Sequence, residues 1–288
     1  MKIYIWYRFG FYFKVGQISK INKSSLNSYS SNDSSDNYLG SYLAGLIEGD
    51  GSIIVPKTIR NQKGKLLYPV VKITFVKKDA PLAHKIMELI RGGTIAQSKD
   101  SNYLDLLFQD IKSIQKIAVL LNGNMRTPKI EALHRLIDWL NARSIDGFKI
   151  SKLNLDNSWL LRGSNPWLSG FIEADGNFYC EFKLKCCSGI ATLIKCYMRV
   201  SQKQSYKSTT TISKDNSNFY IMDKIREFLD VKNVTFIKRS KPNYIELGYE
   251  VRTTKIISCD ILINYLKKFP LFSSKHLDFL DWTFKLIF

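Results

Sequence analysis

Cysteine, histidine and long apolar runs are all scarce in this chain of 288 residues. Five cysteines occur, all in the second half, and none lies in a C-x-x-C motif. Their odd number and spacing give no indication of a disulfide framework or a zinc site, and favour free thiols in a reducing compartment. The three histidines, His84, His134 and His276, are scattered, so we do not expect them to be metal ligands.

Acidic residues are also few, since 25 aspartates and glutamates face 43 lysines and arginines, for a formal net charge of +18. This excess predicts a polyanionic partner, for which nucleic acid and an anionic membrane surface are alternatives. Residues 1–21 are rich in aromatic side chains, but Lys2, Arg8 and Lys14 interrupt them, so this segment forms neither a signal peptide nor a membrane span. A Ser/Asn/Asp-rich run over 22–37 is typical of a disordered linker.

What the sequence does contain is a repeated stretch. Tyr42–Gly51 reads YLAGLIEGDG, and Trp167–Gly176 reads WLSGFIEADG. Large apolar side chains in each copy follow the spacing of a buried helix face. Gly45 and Gly49, four residues apart, lie on one stripe of the helix and allow a second helix to approach closely. We therefore expect a duplicated domain whose two motif helices pack against each other.

The last acid of each copy stands in an unusual electrostatic position. Asp50 and Asp175 are predicted at the C-terminus of a helix, where the dipole is negative and carbonyl groups lack partners. Gly51 and Gly176 are expected to end the helices in the left-handed conformation. If the helices pair, the carboxylates and free carbonyls converge on a site that suits Mg²⁺ or Ca²⁺. The alternative is that each Asp-Gly simply begins a turn.

Both stretches resemble the motif of the LAGLIDADG homing endonucleases, in the single-chain form that carries two motifs, and the resemblance covers most of the chain beyond Asn37. Phosphodiester hydrolysis by this family implies bound divalent ions. We expect Mg²⁺, although another divalent cation can replace it and Ca²⁺ can occupy such a site without turnover. Glu48 and Glu173 lie two residues before the aspartates, on another side of each helix, and are not expected to be direct ligands. The expected ligands are the carboxylates of Asp50 and Asp175 and the backbone carbonyls of Gly49 and Ala174.

The resemblance also implies further catalytic residues. The family's lysine near the start of a late helix matches Lys129 in the first half and Lys275 in the second. A polar residue after the second strand matches Lys77 and Gln202. These residues would orient water and support the charge of the transition state. The alternative for the two late lysines is that they are surface residues at the start of a helix.

Beyond each motif, hydrophobic periodicity predicts the same order of elements in both halves. The expected fold is mixed α+β, with two pseudo-symmetric αββαββα repeats whose antiparallel sheets form a saddle for DNA and whose motif helices pack at the pseudo-twofold interface. Strands are expected at Ser52–Arg60 and Leu67–Val76, and Asp79 is expected to cap the helix Ala80–Ile90. The predicted units are an N-terminal extension and linker over 1–37, a first repeat over 38–145, a connector over 146–166 and a second repeat over 167–288.

A basic and polar outer sheet face is typical of a surface that binds the DNA major groove, where each base pair presents a distinct pattern of donors and acceptors. Lysines and arginines on that face would also neutralise phosphates. The alternative for each residue is that it only solubilises the outer face of a strand. The expected DNA contacts are Thr58, Arg60, Lys72, Thr74, Lys183, Lys185, Lys195, Arg199 and Lys238.

The leading hypothesis is a monomeric, Mg²⁺-dependent endonuclease that makes a staggered double-strand break in a long, non-palindromic DNA site. The alternative is a maturase that binds intron RNA and assists splicing, alone or as a second activity. A DNA-binding regulator with the same fold is a third class, and it would not need both aspartates. No membrane partner is expected. The excess of Lys over Arg and the many Ile and Asn residues indicate an AT-rich genome, which with the resemblance suggests a fungal mitochondrial intron reading frame.

Overall fold

The computed structural model describes residues 34–97, 101–155, 165–184, 191–206, 217–240, 242 and 244–287. Within these residues the chain repeats one order of helices and strands. The first half comprises α1 (Ser34–Asp50), β1 (Gly51–Ile54), β2 (Val70–Val76), α2 (Ala80–Ile90), β3 (Thr94–Ala96), β4 (Tyr103–Phe108), α3 (Ile111–Leu121) and α4 (Ile130–Arg143). The second half comprises α5 (Trp167–Asp175), β5 (Gly176–Leu184), β6 (Ala191–Lys203), α6 (Phe219–Phe228), β7 (Thr235–Ser240), β8 (Ile245–Arg252), α7 (Ile256–Lys268) and α8 (Lys275–Ile287).

Each half builds one four-stranded sheet in which all neighbours are antiparallel, with the orders β1-β2-β4-β3 and β5-β6-β8-β7. The glycine after each motif helix starts the first strand and fixes its register. Gly51 pairs with Ile73, and Gly176 pairs with Val200. The mixed α+β class and the duplication predicted from the sequence are confirmed.

Strand alternation places one face of each sheet in the core. In β2, Val71, Ile73 and Phe75 are buried, whereas Lys72 and Thr74 between them are partly exposed. Side chains of a strand alternate between its two faces, so the outer face of this sheet is the polar one. In β6, Met198 and Val200 are likewise buried.

The two motif helices, α1 and α5, pack directly against each other. A Cβ atom at Gly45 would lie 2.0 Å from the backbone oxygen of Trp167, and one at Gly170 would lie 2.0 Å from that of Tyr42. No side chain fits at such a distance, so the absence of a Cβ lets the backbones meet. Leu43, Ile47, Trp167 and Phe171 are among the largest fully buried side chains. The helix interface is therefore the centre of the core, as the repeated motif predicts.

The glycines that follow the motif helices correct one expectation. Neither Gly51 nor Gly176 adopts the left-handed conformation, because the chain passes directly into an extended strand, with φ −76° and ψ 150° at Gly176. Glycine is required there by close approach instead. A Cβ at Gly51 would lie 2.6 Å from Cα of Ile47, and one at Gly176 would lie 2.5 Å from Cγ2 of Ile172.

Two boundaries and one helix cap also differ from the sequence predictions. Helix α1 begins at Ser34, so residues 34–37 form its first turn instead of the end of a linker, while 1–33 lie outside the described residues. Strand β1 stops at Ile54, and the following loop contributes only an isolated bridge between Arg60 and Leu66. The expected cap of α2, Asp79, makes no capping bond within its helix, because its carboxylate accepts from the N–H of Ser274 at 2.8 Å.

Cys180, Cys196 and Cys259 carry free thiols, as expected, while Cys186 and Cys187 lie outside the described residues. Among the helices of the described residues, none combines the length and the apolar character that a membrane crossing requires.

Candidate active site at the helix interface

The C-terminal ends of α1 and α5 meet at a cavity of about 430 Å³ that is lined by residues of both halves. Asp50 and Asp175 both line it, together with Gly49, Lys129 and Gln202. Because each aspartate is the last residue of its motif helix, the close packing of the helices brings the two carboxylates to one place. The carboxylate of Asp175 lies near the opposite helix, as its Oδ2 would be 2.8 Å from a Cβ at Gly49.

The two carboxylates share an environment that opposes their ionisation. Burial, followed by the charge of Asp50, raises the pKa of Asp175 to about 7. Burial also raises the pKa of Asp50, which keeps more exposed surface, while the charges of Lys275 and Lys129 oppose this rise. A cation nearby would stabilise the ionised form of two carboxylates that are desolvated and repel each other.

Two lysines provide positive charge near the carboxylates. The ammonium group of Lys129 donates to the carbonyls of Ile47 at 2.9 Å, Glu48 at 2.7 Å, Gly49 at 3.3 Å and Gly51 at 2.9 Å. The last turn of α1 is thus completed by a positive group, which suits the negative end of the helix dipole. Burial lowers the pKa of Lys129 to about 8.

Lys275 makes the same arrangement in the other half. Its ammonium donates to the carbonyls of Ile172 at 3.1 Å, Glu173 at 2.7 Å and Ala174 at 3.2 Å, and burial lowers its pKa. These carbonyls, which helix geometry alone predicts to lack partners, are therefore satisfied. The carbonyls of Gly49 and Ala174, expected as metal ligands, each already accept from a lysine.

The motif glutamates hold the segments that carry these lysines. Glu48 is fully buried, and its Oε1 accepts from the N–H groups of Arg126 at 2.7 Å and Thr127 at 2.5 Å. Burial raises the pKa of Glu48, and these donors oppose the rise. The carboxylate thereby fixes the segment immediately before Lys129, consistent with the expectation that it is not a direct metal ligand.

Glu173 acts in the same way on the second lysine. Its carboxylate accepts from the N–H groups of Phe272 at 3.0 Å and Ser273 at 2.8 Å, just before Lys275. It also accepts from the hydroxyl of Tyr42, on the opposite motif helix, at 3.1 Å. Glu173 therefore connects its own lysine segment with the other half of the molecule, and Glu48 does the same by accepting from the indole N–H of Trp167.

The two polar residues predicted after the second strands have different positions. Gln202 lines the cavity and its amide donates to Asp175 Oδ2. Lys77 lies exposed in a short 3₁₀ turn and does not line the cavity. Strand register makes Phe75 the counterpart of Gln202, because each lies two residues beyond the partner of the motif glycine. The first half therefore has an apolar side chain where the second has an amide.

The expected DNA contacts of the first half lie on the outer side of its sheet and in the loop after β1. Thr58 and Arg60 are exposed in this loop, where the Arg60 guanidinium donates to the carbonyl of Gly64 at 2.6 Å. On β2, both expected contacts are bonded to one carboxylate. Lys72 pairs with Asp105 at 3.3 Å, and the Thr74 hydroxyl donates to Asp105 at 2.7 Å.

The second half repeats this pattern. Lys195 is exposed on the outer face of β6. The expectation for Lys238 is wrong, because its register partner Leu247 lies on the same face of β8 as the buried Val251; Arg239, the next residue, lies on the outer face. Arg199 lies 3.8 Å from Glu250, which also pairs with Arg252. The remaining two expected contacts, Lys183 and Lys185, fall outside the side chains that the structure describes.

Sequence reasoning missed several residues of the site. Asp105 and Glu250 occupy equivalent register positions, opposite Thr74 and Ser201, and the alternation of β4 could have placed Asp105 on the outer face. Three other missed residues carry no comparable signal, because their place depends on contacts between distant segments. These are Arg239 and Tyr206, which line the cavity, and Arg252, whose guanidinium lies 4.6 Å from the ring centroid of Tyr197.

Comparison with known proteins relates this geometry to one family. The family model described as LAGLIDADG endonuclease matches residues 43–140 and 168–284, which are the two halves found in the structure. Among solved structures, the fold is similar to I-SmaMI bound to an uncleaved DNA target in the presence of calcium ions, with a TM-score of 0.56. That similarity covers 86% of this chain and 90% of the other, at 17% identity, and concerns the fold alone.

Two curated relatives come from Saccharomyces cerevisiae. The chain is 31% identical over 265 residues to the intron-encoded DNA endonuclease aI3, covering 85% of this chain and 62% of that protein. It is 27% identical over 182 residues to the intron-encoded RNA maturase bI4, covering 62% of this chain and 25% of that protein. The chain thus spans less than two thirds of the length of either relative.

Proposed function

Because this chain belongs to the LAGLIDADG endonuclease family, we propose that it is a site-specific homing endonuclease acting on double-stranded DNA. It makes a staggered double-strand break in a long, non-palindromic site and acts as a monomer. The observation that carries this proposal is the joint placement of Asp50 and Asp175 in one cavity between two pseudo-symmetric halves. A pure binding protein gains nothing from two repelling, half-buried carboxylates at that point.

The donor set at the cavity fits a divalent cation. The described residues contain no cluster of three or more His, Cys, Asp or Glu side chains that could hold a metal by itself. The carboxylates of Asp50 and Asp175 would hold such an ion, beside the carbonyls of Gly49 and Ala174 that accept from the two lysines, and this oxygen chemistry suits Mg²⁺. When bound, such an ion lowers the pKa of water and neutralises charge on a phosphate.

The remaining work is done by the chain itself. Gln202 donates to Asp175 and so fixes the orientation of that carboxylate. Lys129 and Lys275 place positive charge next to the carboxylates, where charge on a phosphate develops during hydrolysis. Lys77, exposed and away from the cavity, is assigned no catalytic role in this proposal.

The outer faces of the sheets supply the DNA surface. Lys195 is exposed on the outer face of β6, and Thr58 and Arg60 are exposed in the loop after β1. Arg239 lies on the outer face of β7, and basic side chains on such a face position the duplex through its phosphates. Lys238, on the other face of β7, is assigned no DNA contact. Lys72, Thr74 and Arg199 are held by carboxylates on neighbouring strands. Because the two sheet faces differ in sequence, the two half-sites are expected to differ as well.

An intron RNA maturase is the second candidate function, and the similarity to the RNA maturase bI4 favours it. That similarity covers a quarter of the relative, and the endonuclease relative matches more of this chain. The two activities are compatible in one molecule. Both relatives are intron-encoded fungal proteins, so we also place this chain in the mitochondrion, in agreement with the AT-rich composition.

The test is plasmid cleavage by purified protein. The substrate is a supercoiled plasmid that carries the joined exons of the gene encoding the chain, with Mg²⁺, Ca²⁺ or EDTA. We expect linear product with Mg²⁺ only, and a loss of roughly 100-fold or more in Asp50→Asn and Asp175→Asn. Asp138→Asn changes an exposed carboxylate on α4 and serves as the matched control. Tight binding of the intron RNA by a wild type that leaves the plasmid uncut would overturn the endonuclease proposal in favour of the maturase.

A further inference from the structure

Tyr206 is a side chain of the second half that contacts the lysine of the first. It lies beyond the end of β6, and its hydroxyl donates to the carbonyl of Glu48 at 3.0 Å. The ammonium group of Lys129 lies 4.8 Å from the centroid of its ring. The side chain also lines the cavity that contains Asp50 and Asp175. Tyr206 is thus in contact with both the lysine and the helix end to which that lysine is bonded.

These contacts restrict where the ammonium of Lys129 can lie. The carbonyls of α1 hold it from one direction, and the ring of Tyr206 covers it from another. A cation over the face of an aromatic ring is attracted by the quadrupole of the ring. The hydroxyl of Tyr206 bonds to Glu48, whose carbonyl also accepts from Lys129, so the ring and the ammonium share an anchor.

The other lysine has a different neighbour at the equivalent position. Ile73 and Val200 are the strand partners of the two motif glycines, and Asp79 and Tyr206 each lie six residues beyond them. The carboxylate of Asp79 accepts from the N–H of Ser274, immediately before Lys275. Among the described residues, no aromatic ring lies over the ammonium of Lys275. One lysine therefore has an aromatic neighbour where the other has a carboxylate.

We propose that Tyr206 is a positioning residue for Lys129 and that it supports the cleavage of only one of the two DNA strands. The proposal rests on the endonuclease function proposed above. Two carboxylates and two lysines serve two strands, and Tyr206 contacts only one of these lysines. Loss of the ring removes the constraint on one side of the Lys129 ammonium, which the carbonyls of α1 hold only from the other, and leaves the contacts of Lys275 intact. The two strands should then be cut at unequal rates.

The experiment measures the rate at which each strand is cut in a single turnover. The substrate is the duplex that the wild type cleaves in the plasmid test, labelled with a different fluorophore on each 5′ end. Lys129→Met and Lys275→Met first identify the strand that depends on each lysine. Tyr206→Leu and Tyr206→Met then remove the ring in two ways, and Tyr206→Phe keeps the ring while it removes the hydroxyl.

We expect the Leu and Met variants to slow the strand that depends on Lys129 by roughly tenfold or more, and to leave the other strand within about twofold of wild type. Nicked duplex should accumulate, and Tyr206→Phe should stay close to wild type on both strands. The ratio of the two rates is informative even if part of a variant is unfolded, because unfolded enzyme lowers both rates equally.

Equal slowing of both strands, slowing of the strand that depends on Lys275, or an unchanged ratio would each overturn the assignment of Tyr206. A wild type that leaves the plasmid uncut in the presence of Mg²⁺ overturns the endonuclease proposal itself. The two failures are therefore distinguishable in one series of measurements.

Discussion

Trp167 donates its indole N–H to the Oε2 of Glu48 over 2.6 Å, across the interface between the two motif helices. The reciprocal bond runs from the hydroxyl of Tyr42 to Glu173. The aromatic residue that opens each motif therefore binds the glutamate of the other motif. Each glutamate also holds the segment before a lysine of the site, so the packing of the helices and the position of the lysines depend on the same carboxylates.

Replacement of Glu48 by Gln should destabilise the fold. The groups that contact the Glu48 carboxylate, which are the N–H groups of Arg126 and Thr127, the side chain of Thr127 and the indole of Trp167, all donate to it, so the amide NH₂ of a glutamine replaces an acceptor with a donor. We expect a loss of about 2 kcal/mol or more in the free energy of unfolding, measured by urea denaturation.

The control for that variant is Glu227→Gln, because Glu227 forms an exposed ion pair with Lys224. It should cost less than about 1 kcal/mol. Equal stabilities of the Glu48→Gln variant and the wild type would show that the buried carboxylate does not hold the interface.

The pH dependence of stability should reveal Asp175 in the metal-free protein. Its pKa is raised to about 7 in the folded state, against about 3.9 in an unfolded chain. The folded state thus favours the protonated form, and this stabilisation is lost as the pH rises through about 7. Asp175→Asn cannot ionise, so its melting temperature relative to wild type should rise between about pH 6 and about pH 8 in EDTA.

Mg²⁺ should reduce that difference at the higher pH, because it binds the ionised carboxylates and stabilises the folded state by mass action. Thermal denaturation with Mg²⁺ or EDTA at both pH values checks both effects. A difference between the variant and wild type that does not change with pH would contradict the raised pKa of Asp175.

Gly45→Ala should separate the motif helices. The new methyl group would lie 2.0 Å from the backbone oxygen of Trp167, and backbone atoms of a packed helix cannot move away alone. We expect a loss of about 3 kcal/mol or more in the free energy of unfolding. Gly64→Ala is the control, because a Cβ there meets no atom within 4 Å and suffers only from the positive φ of 75°.

The control variant should therefore lose only about 1 to 2 kcal/mol. If both variants lose the same stability, close approach of the helices is not what the glycine at position 45 provides.

Lys195→Ala should weaken DNA binding in a manner that depends on salt. Lys195 is exposed on β6, on the face where Arg199 also lies. If it contacts one phosphate, the slope of log Kobs against log salt should become less negative by about 0.9. The matched control is Lys268→Ala. This lysine is exposed on helix α7 and so lies on neither sheet. Titrations by fluorescence anisotropy in Ca²⁺ measure both slopes, and an unchanged slope in Lys195→Ala would remove it from the interface.

Much of this architecture could be predicted from the sequence because it depends on local patterns. The apolar spacing around Leu43 and Ile47 and the small residues at Gly45 and Gly170 predict a helix pair, and the structure confirms it. The alternation in β2 predicts which face is buried, and the bounds of α2 agree at both ends. The position of Asp50 and Asp175 at one cavity follows from the pairing of their helices.

The rest depends on contacts that sequence spacing does not record. The ammonium groups of Lys129 and Lys275 donate to the last carbonyls of the motif helices. They can do so because α4 and α8, which lie far along the chain, begin next to the ends of the motif helices. Asp79 precedes a helix, as a capping residue does, but its carboxylate accepts a hydrogen bond from the N–H of Ser274, far along the chain. Gln202 and Lys77 match one family position, yet strand register equates Gln202 with Phe75.

The exchange of hydrogen bonds between the motif helices bears on how the halves could be recombined. Tyr42 and Glu48 in one half occupy the same motif positions as Trp167 and Glu173 in the other. Each half thus presents one donor and one acceptor, and this surface is complementary to a copy of itself as well as to its present partner. A chimera that joins either half to a related one must therefore keep the chemistry of these two positions, besides the glycine that lets the helices approach.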